Sequence, residues 1–250
     1  MKTNYSILIC ILGWGLTFQE LKASSYDSTV LNDKPVLYFA MKGPNSNGKE
    51  KDLSGNKNHG VYFLQGSSVL KSSLPNGDTA VVFNGQNEYL EVPSHWSLSV
   101  PKNGALTFEA WIRPYTLNFP QSESDGYVYW AGKGEMGDFE YAGRMYSYQN
   151  SASRPNRISG YAFNRQGGLG SGSYFQDVVK VKEWIHVAVV IDTHAQVNAP
   201  TGTVSIFKNG MLRKTTPLNQ FNVIPEPGNA PLRIATRDFH SFFKGSVAKF

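Results

Sequence analysis

Cysteine is nearly missing from this chain: one residue, Cys10, among 250. No disulfide can form within one molecule, so the fold must rest on its core, and a chain of this length can bury enough apolar surface for that. An apolar run of about 18 or more residues, the signature of a membrane-crossing helix, is also missing. Like charges never gather into a run of five or six, and the net charge is only +5. That distribution argues against a nucleic-acid binder, which needs a basic stripe or a known module. The five histidines, His59, His95, His186, His194 and His240, lack the i, i+4 spacing that places two metal ligands on one helix face. Helical periodicity is scarce throughout. Residues 167–172 therefore read as a glycine turn rather than a phosphate cradle, which requires a helix behind it.

What is present begins with a leader pattern. Lys2 gives a positive start, residues 7–18 (ILICILGWGLTF) form a short apolar segment, and Leu21-Lys22-Ala23 offers a small residue for cleavage, the three parts of an export signal. Residues 1–23 are expected to be removed and 24–250 to form one exported domain, secreted or at the cell surface, with no membrane span in the mature part. Loss of Lys2, Glu20 and Lys22 lowers the formal charge from +5 to +4. Cys10 would leave with the leader.

The mature part is organised around residues 130–192, where glycine, serine, asparagine and proline clusters separate four expected strands. In its last strand Ile185, Val187, Val189 and Ile191 share one face, the period-two pattern of a half-buried strand. One strand earlier, Arg157, Ser159, Tyr161 and Phe163 oppose Ile158, Gly160 and Ala162. Ahead of this region, residues 106–113 (LTFEAWIR) put Phe108, Ala110 and Ile112 opposite Glu109, Trp111 and Arg113. Further strands are expected at 36–41, 60–63, 80–83, 89–92, 203–208, 211–215, 232–236 and 243–250, with 24–33 as an extended lead-in. Asn209-Gly210 joins two of them as a hairpin turn. About a dozen short strands without a helix imply an all-β fold, two antiparallel sheets packed face to face.

The order of short motifs then resembles the laminin-G-like, concanavalin A-like jelly-roll domains of exported bacterial proteins. The motifs are Asp52-Leu53-Ser54-Gly55-Asn56 through His59-Gly60, Val82-Phe83-Asn84-Gly85 with Tyr89-Leu90, and Leu106-Thr107-Phe108-Glu109-Ala110-Trp111-Ile112. Glu183-Trp184-Ile185-His186-Val187-Ala188, Ile206-Phe207-Lys208-Asn209-Gly210 and Phe243-Lys244-Gly245-Ser246-Val247 complete the series. The resemblance implies a jelly roll whose curved sheet or rim loops bind glycans or proteins, and a structural calcium ion near the first loop. It also implies an acidic pair after the glycine of the last strand. Ala248-Lys249-Phe250 stand there instead, so that strand reads as truncated.

Three chemistries follow. For glycan binding, the non-core face is expected to gather Glu109, Trp111, Arg144, Tyr146, Arg157, Tyr161 and His186, aromatic rings for sugar faces with charged groups for hydroxyls; Phe163 and Tyr174 belong to the same inventory. For calcium, Asp52 and Asn56, with Asn58 beside them, supply oxygens in a glycine-bearing loop, although an Asx-turn loop stabilised by its own backbone uses the same residues. For hydrolysis, Glu135, Asp138 and Glu140 are superficially similar to the carboxylate motif of laminarinase-type relatives. Paired glycosidase carboxylates sit about 5–5.5 Å apart for retention, whereas Glu135 and Asp138 fall on opposite strand faces unless a bulge intervenes, and the local glycines suggest a solvated turn. The expectation is a non-catalytic carbohydrate-binding module. Its alternatives are a protein-binding adhesion module and, behind that, a glycoside hydrolase.

Overall fold

The computed structural model describes residues 26–66, 69–124 and 126–250. The expected leader, Cys10 included, lies outside the described residues. Two antiparallel sheets face each other. In spatial order the first contains β1 (Lys49–Glu50), β2 (Gly60–Phe63), β5 (Tyr89–Val92), β14 (Leu232–Ile234), β7 (Tyr127–Glu135), β8 (Asp138–Tyr146), β9 (Ile158–Ala162) and β10 (Ser171–Phe175). The second contains β13 (Met211–Pro217), β12 (Thr203–Lys208), β11 (Ile185–Asp192), β6 (Ala105–Pro114), β15 (Lys244–Ala248), β4 (Thr79–Asn84) and β3 (Leu70–Ser73). The two-sheet antiparallel sandwich expected from alternation is therefore the fold, consistent with the jelly roll that the resemblance implies.

Alternation also selects the core. Ile185, Val187, Val189 and Ile191 from β11 meet Phe108, Ala110 and Ile112 from β6, and across the sandwich Tyr141, Met145, Ile158 and Ala162. Asn209 (φ +50°) and Gly210 (φ +79°) turn β12 into β13 with both central residues left-handed, as the Asn-Gly pair predicts. Two glycines admit large core neighbours. A Cβ on Gly143 would lie 2.2 Å from the Trp130 ring, and one on Gly160 would lie 2.4 Å from Val189.

Two expectations about the ends change. The lead-in at 24–33 is not extended over its described part: α1 (Tyr26–Asn32) is a short helix. Residues 36–41 are not a ladder strand, but Phe39 and Phe250 exchange both backbone hydrogen bonds, at 2.6 and 3.0 Å. In the position of the expected acidic pair, Lys249 is buried and itself collects acids, with Nζ 2.5 Å from Asp27 Oδ1 and 2.9 Å from Asp78 Oδ2. One inverted charge thus ties α1 and the β3–β4 turn to the end of the chain.

No described helix is long and apolar enough to cross a membrane.

Candidate functional site

The outward side of β7–β10 carries the largest aromatic cluster outside the core. Tyr127, Tyr129, Tyr146 and Phe163 are buried there with Ala142, and Tyr161 and Phe139 pack against them. Two β-bulges in the β7–β8 hairpin set this up. Tyr129 pairs with Arg144 and Ala131 with Gly143, leaving Trp130 as an extra residue that turns into the core. Such an insertion re-aims side chains without ending the strand. Gly172 pairs with Tyr161 and has no side chain, and a Cβ on it would meet the Tyr161 ring at 2.4 Å. The ring therefore lies across the neighbouring strand.

Arg144 sits in the middle of this layer. Its guanidinium carbon is 4.2 Å from the Tyr127 ring centroid, 4.5 Å from Tyr161, 5.2 Å from Tyr129 and 5.2 Å from Phe163. Its Nη2 donates to the Tyr129 hydroxyl at 3.2 Å, while its Nε is sealed from solvent without a hydrogen-bond partner. Burial pushes the hydroxyls of Tyr127, Tyr129 and Tyr161 above the ordinary phenol range, so they remain neutral hydrogen-bonding groups at physiological pH.

Beside this layer opens a cleft of about 560 Å³, lined among others by Arg144, Tyr146, Arg157, Tyr161, Tyr174 and Lys214. Arg157 stacks 3.7 Å above Tyr174 and donates twice to the amide oxygen of Gln176, at 3.2 and 3.0 Å. Lys214, from edge strand β13, lies 4.0 Å from the same Tyr174 ring. Leu169 and Phe221 stand exposed at the cleft.

Four of the seven expected glycan-site residues, Arg144, Tyr146, Arg157 and Tyr161, thus meet in one cleft. The other three do not join them. Glu109 and Trp111 belong to β6 and His186 to β11, in the opposite sheet and pointing outward. His186 Nε2 lies 3.4 Å from Glu109 Oε2, and its ring is 5.2 Å from Trp111. Alternation within a strand correctly separated core from surface, but it does not say to which sheet a strand belongs. The single expected face is two faces on opposite sides of the sandwich. Lys214 was absent from the expectation; only its place beside the Asn-Gly hairpin could have suggested it.

The hydrolase carboxylates are all committed. Glu140 is the extra residue of the second bulge, between Lys133↔Tyr141 and Gly134↔Phe139. It is buried, ion-paired with buried Lys133, and accepts from Ser99 Oγ at 3.0 Å, Gly228 N at 2.8 Å and Val100 N at 3.2 Å. Asp138 accepts from Arg165 at 2.7 Å and from the backbone of Asn229 and Ala230. Although burial opposes it, these bonds hold its carboxyl below the usual range. Glu135 accepts from Arg233 at 2.5 Å. The expected solvated turn is therefore corrected: Gly132 and Gly134 lie within β7, and Glu140 is sealed.

The donor set of the first loop does not fit a calcium ion. Asp52 Oδ1 accepts from Tyr38 N at 3.1 Å and Ser54 N at 2.9 Å, and its Oδ2 from Ser54 Oγ and Asn58 N, both at 2.9 Å. Four donors fill the four acceptor positions of a carboxylate. Asn56 turns its amide nitrogen to the carbonyls of Pro35 and Val36, each at 3.2 Å. This is the Asx-turn arrangement. Elsewhere, Glu123, Asp238 and His240 bring their ligand atoms within 4.8 Å of one another.

Comparison with known proteins agrees with this architecture. The binding domain of Paraclostridial Mosquitocidal Protein 1 aligns at TM-score 0.60 and 14% identity, over 88% of this chain and 48% of that one. The chain thus spans about half the length of that structure. Domain 4 of AbnA, a GH43 extracellular arabinanase from Geobacillus stearothermophilus solved with arabinotriose, aligns at 0.53 and 15%, over 86% and 89%. The binding domain of botulinum neurotoxin serotype D aligns at 0.52 and 10%, over 88% and 48%. No curated protein sequence shows a significant match. A family model matches residues 84–250, more than half of the chain, and the chain belongs to the concanavalin A-like lectin/glucanase superfamily.

Proposed function

We propose that this chain is a non-catalytic, exported carbohydrate-binding module of lectin type that receives a glycan in the cleft beside β8–β10. The observation that carries this reading is the meeting of Tyr146, Tyr161 and Tyr174 with Arg144, Arg157 and Lys214 around one cleft. Aromatic faces suit the apolar faces of sugar rings, and a few placed polar groups fix orientation, the usual composition of a small-molecule site. A domain of the same fold solved with arabinotriose supports carbohydrate as the ligand class. The engagement of Glu135, Asp138 and Glu140 in ion pairs supports a binding role over hydrolysis. Export rests on the leader pattern of residues 1–23.

The test is a glycan array with the full chain and with Tyr161→Ala, Tyr146→Ala and Trp111→Ala. Binding that falls in the two tyrosine variants and persists in Trp111→Ala is expected. Loss only in Trp111→Ala would move the site to the other sheet. Absence of binding to every glycan would refute the reading.

A second reading, recognition of a surface protein, draws on the opposite side of the sandwich. There Tyr26, Leu74, Pro75 and Trp111 line an apolar recess of about 240 Å³. Pull-down that depends on Trp111 would favour it.

A further inference from the structure

Among the described residues, four deeply buried cations follow one rule. Lys133, Arg233, Arg237 and Lys249 are each 5% exposed or less at the side chain, and each contacts a carboxylate: Glu140, Glu91 with Glu135, Asp238, and Asp27 with Asp78 respectively. The physical reason is that removing a charge from water costs several kcal/mol unless an opposite charge compensates it. Arg144 has its Nε sealed from solvent and its guanidinium ringed by four aromatic side chains. Yet among the described residues no carboxylate pairs with it. The rings compensate in part, because their faces attract a cation. They leave a guanidinium whose fork is not engaged by any acid among the described residues.

The cleft repeats the pattern around Arg144. Arg157 is held by a ring and a neutral amide, and Lys214 by the same ring. Among the described residues no aspartate or glutamate lines the cleft, whereas Arg144, Arg157 and Lys214 do. Cations fixed on aromatic faces keep their charge available and lose little freedom on binding, which is the arrangement that favours an anion.

We infer that the ligand of this cleft is an acidic saccharide, whose carboxylate or sulfate is received by Arg144 while Arg157 and Lys214 face the neighbouring part of the chain. This rests on the carbohydrate-binding reading and narrows it. Planar guanidinium groups meet both carboxylates and sulfates through paired N–H donors, so the two sources share one chemistry. A saccharide is preferred to a nucleic-acid strand because the cations gather in one cleft and do not extend into the track that successive phosphates need.

The test is calorimetric titration of the full chain with four probes of matched length: an oligogalacturonate, a sulfated chondroitin oligosaccharide, cellotetraose and an oligothymidylate. Each is run at low and at physiological salt. Binding of the uronate or the sulfate, weakened by salt, with at least about tenfold preference over cellotetraose, is expected; which acidic arm wins identifies the anion. Arg144→Met should reduce that affinity by about tenfold or more, since it removes charge-assisted hydrogen bonds to the anion. Arg144→Lys should retain part of it. Because Arg144 also packs against four rings, Lys214→Gln at the cleft edge serves as a second variant, expected to reduce affinity and salt dependence without changing the melting temperature. Equal, salt-insensitive binding of cellotetraose would overturn the acidic ligand and leave the carbohydrate reading standing. Binding of oligothymidylate alone, or of no probe, would overturn both.

Discussion

Glu140→Gln should destabilise this protein far more than any catalytic interpretation of the residue predicts. Glu140 and Lys133 are 1% and 0% exposed. The carboxylate also accepts from Ser99, Val100 and Gly228, and Lys133 Nζ donates to the Gly228 carbonyl at 2.8 Å. Glutamine keeps the shape but removes the charge that compensates Lys133, and it turns an NH₂ toward positions where donors already point. Breaking a buried pair from one side costs about 3–5 kcal/mol, a large share of the roughly 5–15 kcal/mol that hold a domain together. At about 2–4 °C per kcal/mol for 150–250 residues, the melting temperature should fall by about 6–20 °C.

Urea unfolding followed by tryptophan fluorescence measures the loss directly. The double variant Lys133→Met/Glu140→Leu should be less destabilised than the two single losses summed, because it removes the stranded charge as well as the pair. A loss below about 1 kcal/mol in Glu140→Gln, the level of an exposed ion pair, would refute the structural role of Glu140. Polysaccharide hydrolysis abolished at unchanged stability would return it to the catalytic candidates.

Gly143→Ala should cost about 1–3 kcal/mol by overpacking, since the new methyl would stand 2.2 Å from the Trp130 ring; unchanged thermal unfolding would show that the bulge yields freely. Asp52→Ala should cost about 3 kcal/mol by orphaning several donors, equally in chelator and in millimolar calcium, and a loss that grows with calcium would place an ion at that loop after all. Lys249→Met should matter most above pH 4. The Lys249 hydrogen bond lowers the carboxyl of Asp78, and Asp27, though burial opposes the shift, is also held below its ordinary value of 3.8 by Lys249 and Tyr38. Groups depressed in the folded state contribute stability above their unfolded value and lose it as pH falls through the folded one. The gap between wild type and variant, measured by urea unfolding against pH, should therefore be flat above about pH 5 and close on acidification; a gap that widens in acid would contradict the pairing.

Much of the fold was legible because a strand advertises its buried face every second residue. Phe108, Ala110 and Ile112, and likewise Ile185 to Ile191, fell on the core side as their spacing required. What alternation conceals is sheet membership. β6 and β8 look alike in sequence, and only pairing with β11 and β15 on one hand, β7 and β9 on the other, sets Trp111 and Tyr146 back to back. Bulges are equally silent. A one-residue insertion reverses the parity of everything beyond it, so the lone residues Trp130 and Glu140 turn inward against simple counting. Lys249 shows a third limit: it reads as the loss of an acidic pair, while its two aspartates come from positions 222 and 171 residues earlier in the chain.

Two arginines on one aromatic layer are neutralised in opposite ways. Arg237 and Arg144 rest on the same aromatic layer, with Tyr129 4.2 Å from the first and 5.2 Å from the second, and both face Phe163. Arg237 comes with its own acid, Asp238, bound at 2.5 Å through Nη2 and 3.0 Å through Nε, and its neighbour Phe239 packs on Tyr89 and over Arg233. That half of the sheet face is neutralised and covered by the protein itself. The half around Arg144 has the same rings and the same cation, but a cleft in place of the covering loop. A structural guanidinium needs its counter-charge built in, and a receiving one has to leave that place open. If the proposed cleft is the binding site, Tyr129, shared by both arginines, stands where the self-neutralised half of the face meets the open one.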